Sequence, residues 1–217
     1  MLQFIIAFAA VVADVYGLKG LWYENQALWD FQWKTNQWTY LEKATVEVGR
    51  TAIIGAVLIQ KYAPPGPILD VGCGTGVLSD FLTPDQKQKY IGIDFSKEAV
   101  LMATNARNLT FIHTKAEDYI PPSNNFAVIA FNEVLYYVDF QTTLKKYTQY
   151  LAKDGIIIIS KYHDYTRNGK MNQDPTLKYA RSVYNLVEEL QLSGNTPGND
   201  NVTSRVQFRM EVFKIRD

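Results

Sequence analysis

The chain has 217 residues, of which 47% are hydrophobic and 20% charged, and its 22 lysines and arginines balance 22 aspartates and glutamates. This composition is that of one well-buried globular domain and excludes a disordered or coiled-coil chain. A formal net charge of zero without a basic block disfavours nucleic acid as a partner. The single cysteine, Cys73, has no partner for an intrachain disulfide, and two histidines are too few for a Cys/His metal cluster. The sequence therefore predicts a cytoplasmic protein without a bound metal.

The first 41 residues are rich in apolar and aromatic side chains. Residues 4–13 form an apolar run that no Lys or Arg precedes and that is shorter than the roughly 20 residues of a membrane span. We favour a helix packed on the domain, or a misassigned start, over a signal or a membrane contact through residues 1–13. All four tryptophans follow between Trp22 and Trp38. They predict a helical cap over residues 1–41, whose rings either fill the open edge of the domain or form a lid over a ligand.

Helical and strand patterns alternate from residue 42 onward. Apolar residues at three- and four-residue steps predict a helix over residues 42–62, which the prolines of residues 64–67 end. An apolar strand at residues 68–71 then enters a glycine-rich turn at residues 72–76, which opens a short helix to about Leu82. Because glycine adopts backbone conformations that other residues avoid, this turn can place bare main chain against a ligand.

The remaining elements repeat this alternation. Three strands are predicted to be buried in a parallel sheet, because their apolar runs are short and continuous. We predict strands at residues 68–71, 90–94, 110–113, 126–131, 156–159 and 206–212. One helix is predicted to begin after Ser96 and another to run from Phe140 to Leu151. A last helix is predicted to have Leu177, Ala180, Tyr184 and Val187 on one face. Residues 152–155 are predicted to turn the chain, and no strand is evident between residues 190 and 204.

The spacing of the glycine turn distinguishes between two kinds of ligand. Its pattern is Gly-x-Gly-x-Gly, and Val77 occupies the position where a dinucleotide fingerprint has its third glycine. The carboxylate of Asp70, two residues before Gly72, would repel a pyrophosphate and attract a cation. The turn therefore favours a positively charged ligand over a dinucleotide.

The segment from Asp70 to Gly76 resembles the first motif of the class I S-adenosylmethionine-dependent methyltransferases, and the resemblance extends from about residue 68 to residue 160. It implies an α/β fold with a doubly wound, mostly parallel sheet of the Rossmann-like methyltransferase type in residues 42–217. It also implies S-adenosyl-L-methionine as the cofactor. The glycine motif would supply the cofactor-binding residues Asp70, Gly72, Cys73, Gly74 and Gly76.

The next two strands are expected to complete the nucleoside site. Asp94 ends the second strand level with the glycine turn, where its carboxylate would accept hydrogen bonds from both ribose hydroxyls. The alternative is that Asp94 only caps the turn before Ser96. Phe95 follows it in the predicted cofactor site. After the third strand, the resemblance implies that the backbone around Ala116 and Glu117 contacts the adenine.

The fourth strand ends in Asn132-Glu133-Val134-Leu135-Tyr136-Tyr137, which resembles a motif of the nodulation-related N-methyltransferases of the same family. Its place at the carboxyl edge of the sheet predicts that Asn132 binds the cofactor and that Glu133 faces the methionine part or the acceptor. The tyrosines fit the core equally well. Three side chains are candidate catalytic residues if the acceptor must lose a proton: Glu133, His163 and Tyr136. For His163, the alternative is an exposed loop residue without a role.

These observations predict a methyltransferase that acts on a nitrogen or oxygen atom of a small-molecule acceptor, such as a sugar or a secondary metabolite. Two other functions fit part of the pattern. A binding module of the same fold would bind S-adenosylmethionine without turnover, and a nucleotide-dependent oxidoreductase would need the glycine that Val77 replaces. The sequence carries no signal for the oligomeric state.

Overall fold

The computed structural model describes residues 25–36, 47–164, 174–196 and 204–216. The apolar run of residues 4–13, most of the predicted cap and its boundary at residues 41 and 42 lie outside these ranges. In the described part of the chain, no helix is both long and apolar enough to cross a membrane.

The elements alternate as the sequence predicts. The helices are α1 (Gln26–Lys34), α2 (Glu47–Tyr62), α3 (Pro84–Lys87), α4 (Lys97–Ala106), α5 (Phe140–Thr148) and α6 (Pro175–Val183), with a 3-10 helix at Val77–Phe81. The strands are β1 (Ile68–Val71), β2 (Tyr90–Asp94), β3 (Thr110–His113), β4 (Phe126–Asn132), β5 (Leu151–Asp164), β6 (Tyr184–Thr196) and β7 (Ser204–Ile215).

The seven strands form one sheet in the order β3-β2-β1-β4-β5-β7-β6. The first five are parallel, and β7 runs antiparallel to both β5 and β6. Side chains from β4 are buried on both faces of the sheet, one face packing against α2 and the other against α5 and α6. The strand order reverses between β1 and β4. The carboxyl ends of these two strands therefore form the crevice in which open α/β sheets bind ligands.

The predicted last helix was wrong in its second half. Helix α6 ends at Val183, and Tyr184 instead begins β6, which pairs along its length with β7. A register shift between Leu186 and Glu188 interrupts the alternation of β6, so its pattern resembled a helix. Backbone hydrogen bonds to β7 stabilise the strand, a contact that the local sequence does not show. Leu151 similarly belongs to β5 rather than to α5.

The glycine turn after β1 has the left-handed backbone for which glycine is suited. Gly72, Gly74 and Gly76 have φ values of 72°, 54° and 80°. A Cβ on Gly72 would lie 2.4 Å from Cγ2 of Val134, and one on Gly76 would lie 2.5 Å from Cε1 of Phe111. Both the backbone angles and the close packing therefore require glycine at these positions.

We expect Gly72→Ala to lower the free energy of unfolding by about 2–5 kcal/mol. About 1–2 kcal/mol arises from the left-handed backbone and about 1–3 kcal/mol from the collision with Val134. The matched control is Gly55→Ala in α2, where a Cβ would meet Cδ1 of Leu78 at an ordinary 3.4 Å. This control should leave stability unchanged or raise it by up to about 1 kcal/mol. Urea unfolding measures both, and equal midpoints for the two variants would contradict the role of the turn.

Candidate active site

The glycine turn is held from two sides by residues distant in sequence. The amides of Gly72 and Cys73 donate hydrogen bonds to the carbonyl oxygen of Ile93 at 2.8 and 3.0 Å. From the outer side, Nη1 of Arg107 donates to the carbonyl oxygen of Thr75 at 2.7 Å. The same guanidinium contacts the carboxylate of Asp80 through Nε and Nη2 at 2.8 and 2.6 Å. Sequence analysis missed Arg107, since it follows α4 and belongs to no motif.

Asp94 lies beside the turn as predicted, and its carboxylate is already engaged with backbone. Oδ2 accepts a hydrogen bond from the Gly74 amide and Oδ1 one from the Ser96 amide, each at 2.8 Å. Burial raises the pKa of Asp94, and these two amides oppose that effect. The turn-capping alternative is therefore present in the structure. Each carboxylate oxygen can accept a second hydrogen bond, so ribose binding stays a prediction.

Several buried oxygen atoms around the turn lack hydrogen-bond partners within the described residues. They are Oδ1 of Asp70, Oδ1 of Asn132 and Oγ1 of Thr75. The other oxygen of Asp70 accepts a hydrogen bond from the Tyr90 hydroxyl at 2.7 Å. Because Asp70 is buried, its pKa rises to about 7, although the Tyr90 hydroxyl opposes this. Unsatisfied acceptors are costly inside a protein, so the crevice suits a ligand that donates hydrogen bonds.

Cys73 and Phe95 are two other predicted cofactor residues, and they follow the ends of β1 and β2. Burial raises the pKa of the Cys73 thiol well above its usual range, so the thiol is not an activated nucleophile. The carbonyl oxygen of Phe95 lies 3.1 Å from Nε2 of His113, and Nζ of Lys115 lies 5.5 Å from the centroid of the Phe95 ring. Phe95 thus lies between the carboxyl ends of β2 and β3, at the side of the predicted nucleoside site.

The predicted adenine segment is anchored to helix α5. Nζ of Lys146 donates hydrogen bonds to the carbonyl oxygens of Ala116 and Glu117 at 3.2 and 2.6 Å, and the Tyr147 hydroxyl donates to Ala116 at 2.9 Å. Burial raises the pKa of the Tyr147 hydroxyl, which keeps it a donor. These contacts fix the course of the segment. Its interaction with the adenine remains a prediction.

Glu133 has an unusual backbone at the end of β4. Its φ is 54°, a left-handed conformation that is rare outside glycine. Its amide donates to the hydroxyl oxygen of Ser160 at 3.1 Å, and Oε1 accepts a hydrogen bond from the same hydroxyl at 2.6 Å. Oε2 accepts one from the Tyr136 hydroxyl at 2.6 Å. Two predicted catalytic residues, Glu133 and Tyr136, are thus in direct contact.

The contribution of β5 to this edge was only partly foreseen. Ser160 is fully buried, and it was not among the predicted site residues although its segment, residues 160–164, was expected at this edge. The signal was present, because the apolar run of β5 ends at Ser160 just as that of β4 ends at Asn132. His163 lies within β5 opposite Gln207 of β7 and is therefore part of a strand, not of a loop, while its catalytic role stays a prediction. Its side chain lies outside the described residues.

Helix α1 lies across the same edge of the sheet. Oδ1 of Asp30 accepts hydrogen bonds from the Ser96 hydroxyl at 2.6 Å and the Glu98 amide at 3.0 Å, which lower the pKa of Asp30 against the effect of burial. Trp33 is buried, and a Cβ on Gly74 would lie 3.3 Å from its Cζ2. The ring centroids of Trp29 and Tyr137 are 5.0 Å apart, edge to face. The described part of the cap thus contacts the loops after β1, β2 and β4.

Comparisons with known proteins agree with this geometry. The sequence profile of the family described as "Methyltransferase domain" matches residues 65–207. Protein arginine N-methyltransferase 1 of Saccharomyces cerevisiae is 27% identical over 173 residues, which cover 69% of this chain and 50% of that protein. Protein arginine N-methyltransferase 1 of Dictyostelium discoideum is 29% identical over 104 residues, covering 43% and 30%. The chain therefore spans half or less of the length of these curated relatives.

Solved structures share the fold. The N-methyltransferase NodS from Bradyrhizobium japonicum WM9 superposes with a TM-score of 0.62 and 17% identity, covering 81% of this chain and 100% of that one. Its complex with S-adenosyl-L-homocysteine gives a TM-score of 0.58 and 19% identity, covering 77% and 87%. Together with the profile match over most of the chain, these findings confirm the resemblance found in the glycine motif. The chain belongs to the methyltransferase domain family and is a class I S-adenosylmethionine-dependent methyltransferase domain.

Proposed function

We propose that this chain transfers a methyl group from S-adenosylmethionine to a nitrogen or oxygen atom of a small-molecule acceptor, with an amine as the best fit. The observation that supports this most is the carboxylate of Glu133, which two hydroxyls hold at the carboxyl edge of β4. A carboxylate is a strong hydrogen-bond acceptor and would attract the N–H of an amine acceptor.

The crevice fits S-adenosylmethionine on two independent grounds. The left-handed glycines provide a cradle that a Cβ would fill. Oδ1 of Asp70 and Oδ1 of Asn132 are buried and have no hydrogen-bond donor in the part of the chain that the structure describes. The α-ammonium group of the cofactor has three N–H donors and a positive charge, which match these acceptors. We assign Asp94 to the ribose hydroxyls and Trp33 to one wall of the site, since its ring lies over Gly74.

The bound cofactor supplies an electrophilic methyl group, and its C–S bond breaks as the acceptor forms a new bond to that carbon. The protein therefore needs to align the acceptor and exclude water. Ser160 and Tyr136 orient the carboxylate of Glu133, which binds the acceptor N–H or O–H and takes its proton where one must leave. Helix α1 covers the edge and shields it from solvent. A cytoplasmic setting is consistent with the single cysteine, which has no partner for an intrachain disulfide.

A protein arginine side chain is the second candidate acceptor. The curated relatives with detectable sequence identity carry the name protein arginine N-methyltransferase. A guanidinium would also suit a carboxylate such as Glu133. Against this acceptor stands helix α1, because the contacts of Asp30 and Trp29 place it across the edge that a polypeptide would have to enter.

An acceptor panel separates these candidates. It contains glucosamine, tyramine, catechol and an arginine- and glycine-rich peptide, each assayed with radiolabelled S-adenosylmethionine. We expect the label to enter glucosamine or tyramine and not the peptide. Labelling of the peptide alone would favour the arginine candidate. Binding of S-adenosylhomocysteine without labelling of any member would favour a binding module and overturn the proposal.

We expect Glu133→Gln to lower kcat by about a hundredfold or more, because the amide neither attracts the acceptor N–H as strongly nor takes its proton. The dissociation constant of S-adenosylhomocysteine, measured by calorimetry, should stay within about twofold, since Glu133 does not line the predicted cofactor cradle. Asp85→Asn in α3 is the control acid, because its side chain is exposed at the opposite end of the sheet. Turnover of Glu133→Gln equal to that of this control would remove Glu133 from the mechanism.

Binding of S-adenosylhomocysteine should strengthen with pH. Only ionised Asp70 attracts the ammonium group, and its pKa of about 7 predicts a dissociation constant about tenfold lower at about pH 8 than at about pH 6. Asp70→Asn should show no such change. Without ligand, Asp70 also makes the wild type less stable as the pH rises from about 4 to about 7, because its pKa is raised in the folded state, and Asp70→Asn should lack this contribution. Equal pH profiles for both proteins would contradict this assignment.

A further inference from the structure

A buried lysine lies next to the proposed acceptor site. Lys161 follows Ser160 in β5, and only 7% of its side chain is exposed. Its Nζ lies 3.8 Å from the centroid of the Tyr136 ring, 3.4 Å from Oδ2 of Asp174 and 3.4 Å from Oγ1 of Thr176. The ammonium group is thus held between an aromatic face and the N-terminus of α6.

These contacts form a continuous chain to the carboxylate of Glu133. The ring under Lys161 belongs to Tyr136, whose hydroxyl donates to Oε2 of Glu133 at 2.6 Å. A cation over the ring face draws electron density from the ring and makes the phenol a stronger donor. It also fixes the ring in place, because the attraction depends on the distance between the charge and the ring centre.

Packing alone does not account for Lys161. Residues 157, 159 and 161 lie on one face of β5, and the first two are isoleucines of the core. A third apolar residue would fill this place without the desolvation that a buried charge requires. Arg209, the cross-strand neighbour of Lys161 on β7, also carries a positive charge and contacts Glu189 at 2.9 Å and Glu211 at 3.9 Å. A buried cation at this place is therefore better explained by a function than by packing.

We propose that Lys161 is a positioning residue that acts through Tyr136, setting the orientation and donor strength of the Tyr136 hydroxyl on Glu133 and thereby the affinity and alignment of the methyl acceptor. The inference depends on the proposed function, since it assigns the acceptor to Glu133. Asp174 caps α6 by accepting hydrogen bonds from the amides of Thr176 and Leu177. Because Asp174 also contacts Lys161, the position of the lysine depends on that helix as well.

The test compares Lys161→Met with Lys161→Arg. The acceptor is the member of the panel that the wild type methylates. We expect Lys161→Met to lower kcat/KM for the acceptor about tenfold, while S-adenosylhomocysteine binds within about twofold of wild type. Arginine keeps a cation over the ring, so Lys161→Arg should retain at least about half of the activity. The matched control is Lys61→Met, because Lys61 lies 4.7 Å from the centroid of Tyr62 on an exposed surface far from the site.

A double-mutant cycle shows whether Lys161 acts through Tyr136. In Tyr136→Phe, which lacks the hydroxyl, Lys161→Met should cause less than about a twofold further loss. Additive losses, an unimpaired Lys161→Met, or Lys161→Arg as weak as Lys161→Met would each overturn the inference. If Lys161→Met does not fold, Asp174→Asn takes its place, since asparagine keeps the cap and removes the charge that holds Lys161.

A separate measurement distinguishes failure of this inference from failure of the proposed function. If the wild type methylates no member of the panel, the proposed function is wrong, and a cycle of Lys161→Met with Tyr136→Leu is measured by urea unfolding instead, because leucine removes the ring face that phenylalanine would keep. The two contacting residues should then be coupled, so that the double variant shifts the midpoint by less than the sum of the single shifts. Additive shifts would overturn the contact itself.

Discussion

The site depends on left-handed backbone at the carboxyl ends of two neighbouring strands. After β1, the glycine turn folds back so that the Gly74 amide reaches Asp94 and the Gly72 amide reaches Ile93. After β4, Glu133 adopts φ of 54° without being a glycine. Such a conformation is unfavourable for a side-chain-bearing residue and persists only where its surroundings stabilise it. Ser160 supplies that stabilisation by contacting both the amide and the carboxylate of Glu133.

The electrostatics of the crevice differ between its two halves. On the proposed cofactor side, Asp70 is buried with a raised pKa, and its Oδ1 has no hydrogen-bond partner within the described residues, so a nearby cation would favour its ionised form whereas a proton would neutralise it. On the acceptor side, Glu133 already receives two hydroxyl hydrogens, and Lys161 lies behind Tyr136. These contacts fit our proposals that one half recognises a charged cofactor and that the other holds the acceptor through a hydrogen bond.

Elements outside the parallel core assemble this arrangement. Helix α1 reaches the edge through Asp30 and Trp33, and α6 reaches it through Asp174. The antiparallel strand β7 covers the flank of β5 and brings Arg209 beside Lys161. Because α6 and β7 lie at the proposed acceptor half of the crevice, differences in these two elements provide a physical route to a different acceptor while the proposed cofactor half remains unchanged.

The sequence by itself determined the parallel core, the glycine turn and the positions of Asp70, Asp94 and Asn132. These features follow from local rules, namely the alternation of apolar runs, the backbone freedom of glycine and the place of polar residues at strand ends. The tertiary structure alone decided that Ser160 and Lys161 support Glu133 and Tyr136, and that β6 is a strand. Those outcomes rest on contacts between segments far apart in the chain, where pairing and burial outweigh local pattern.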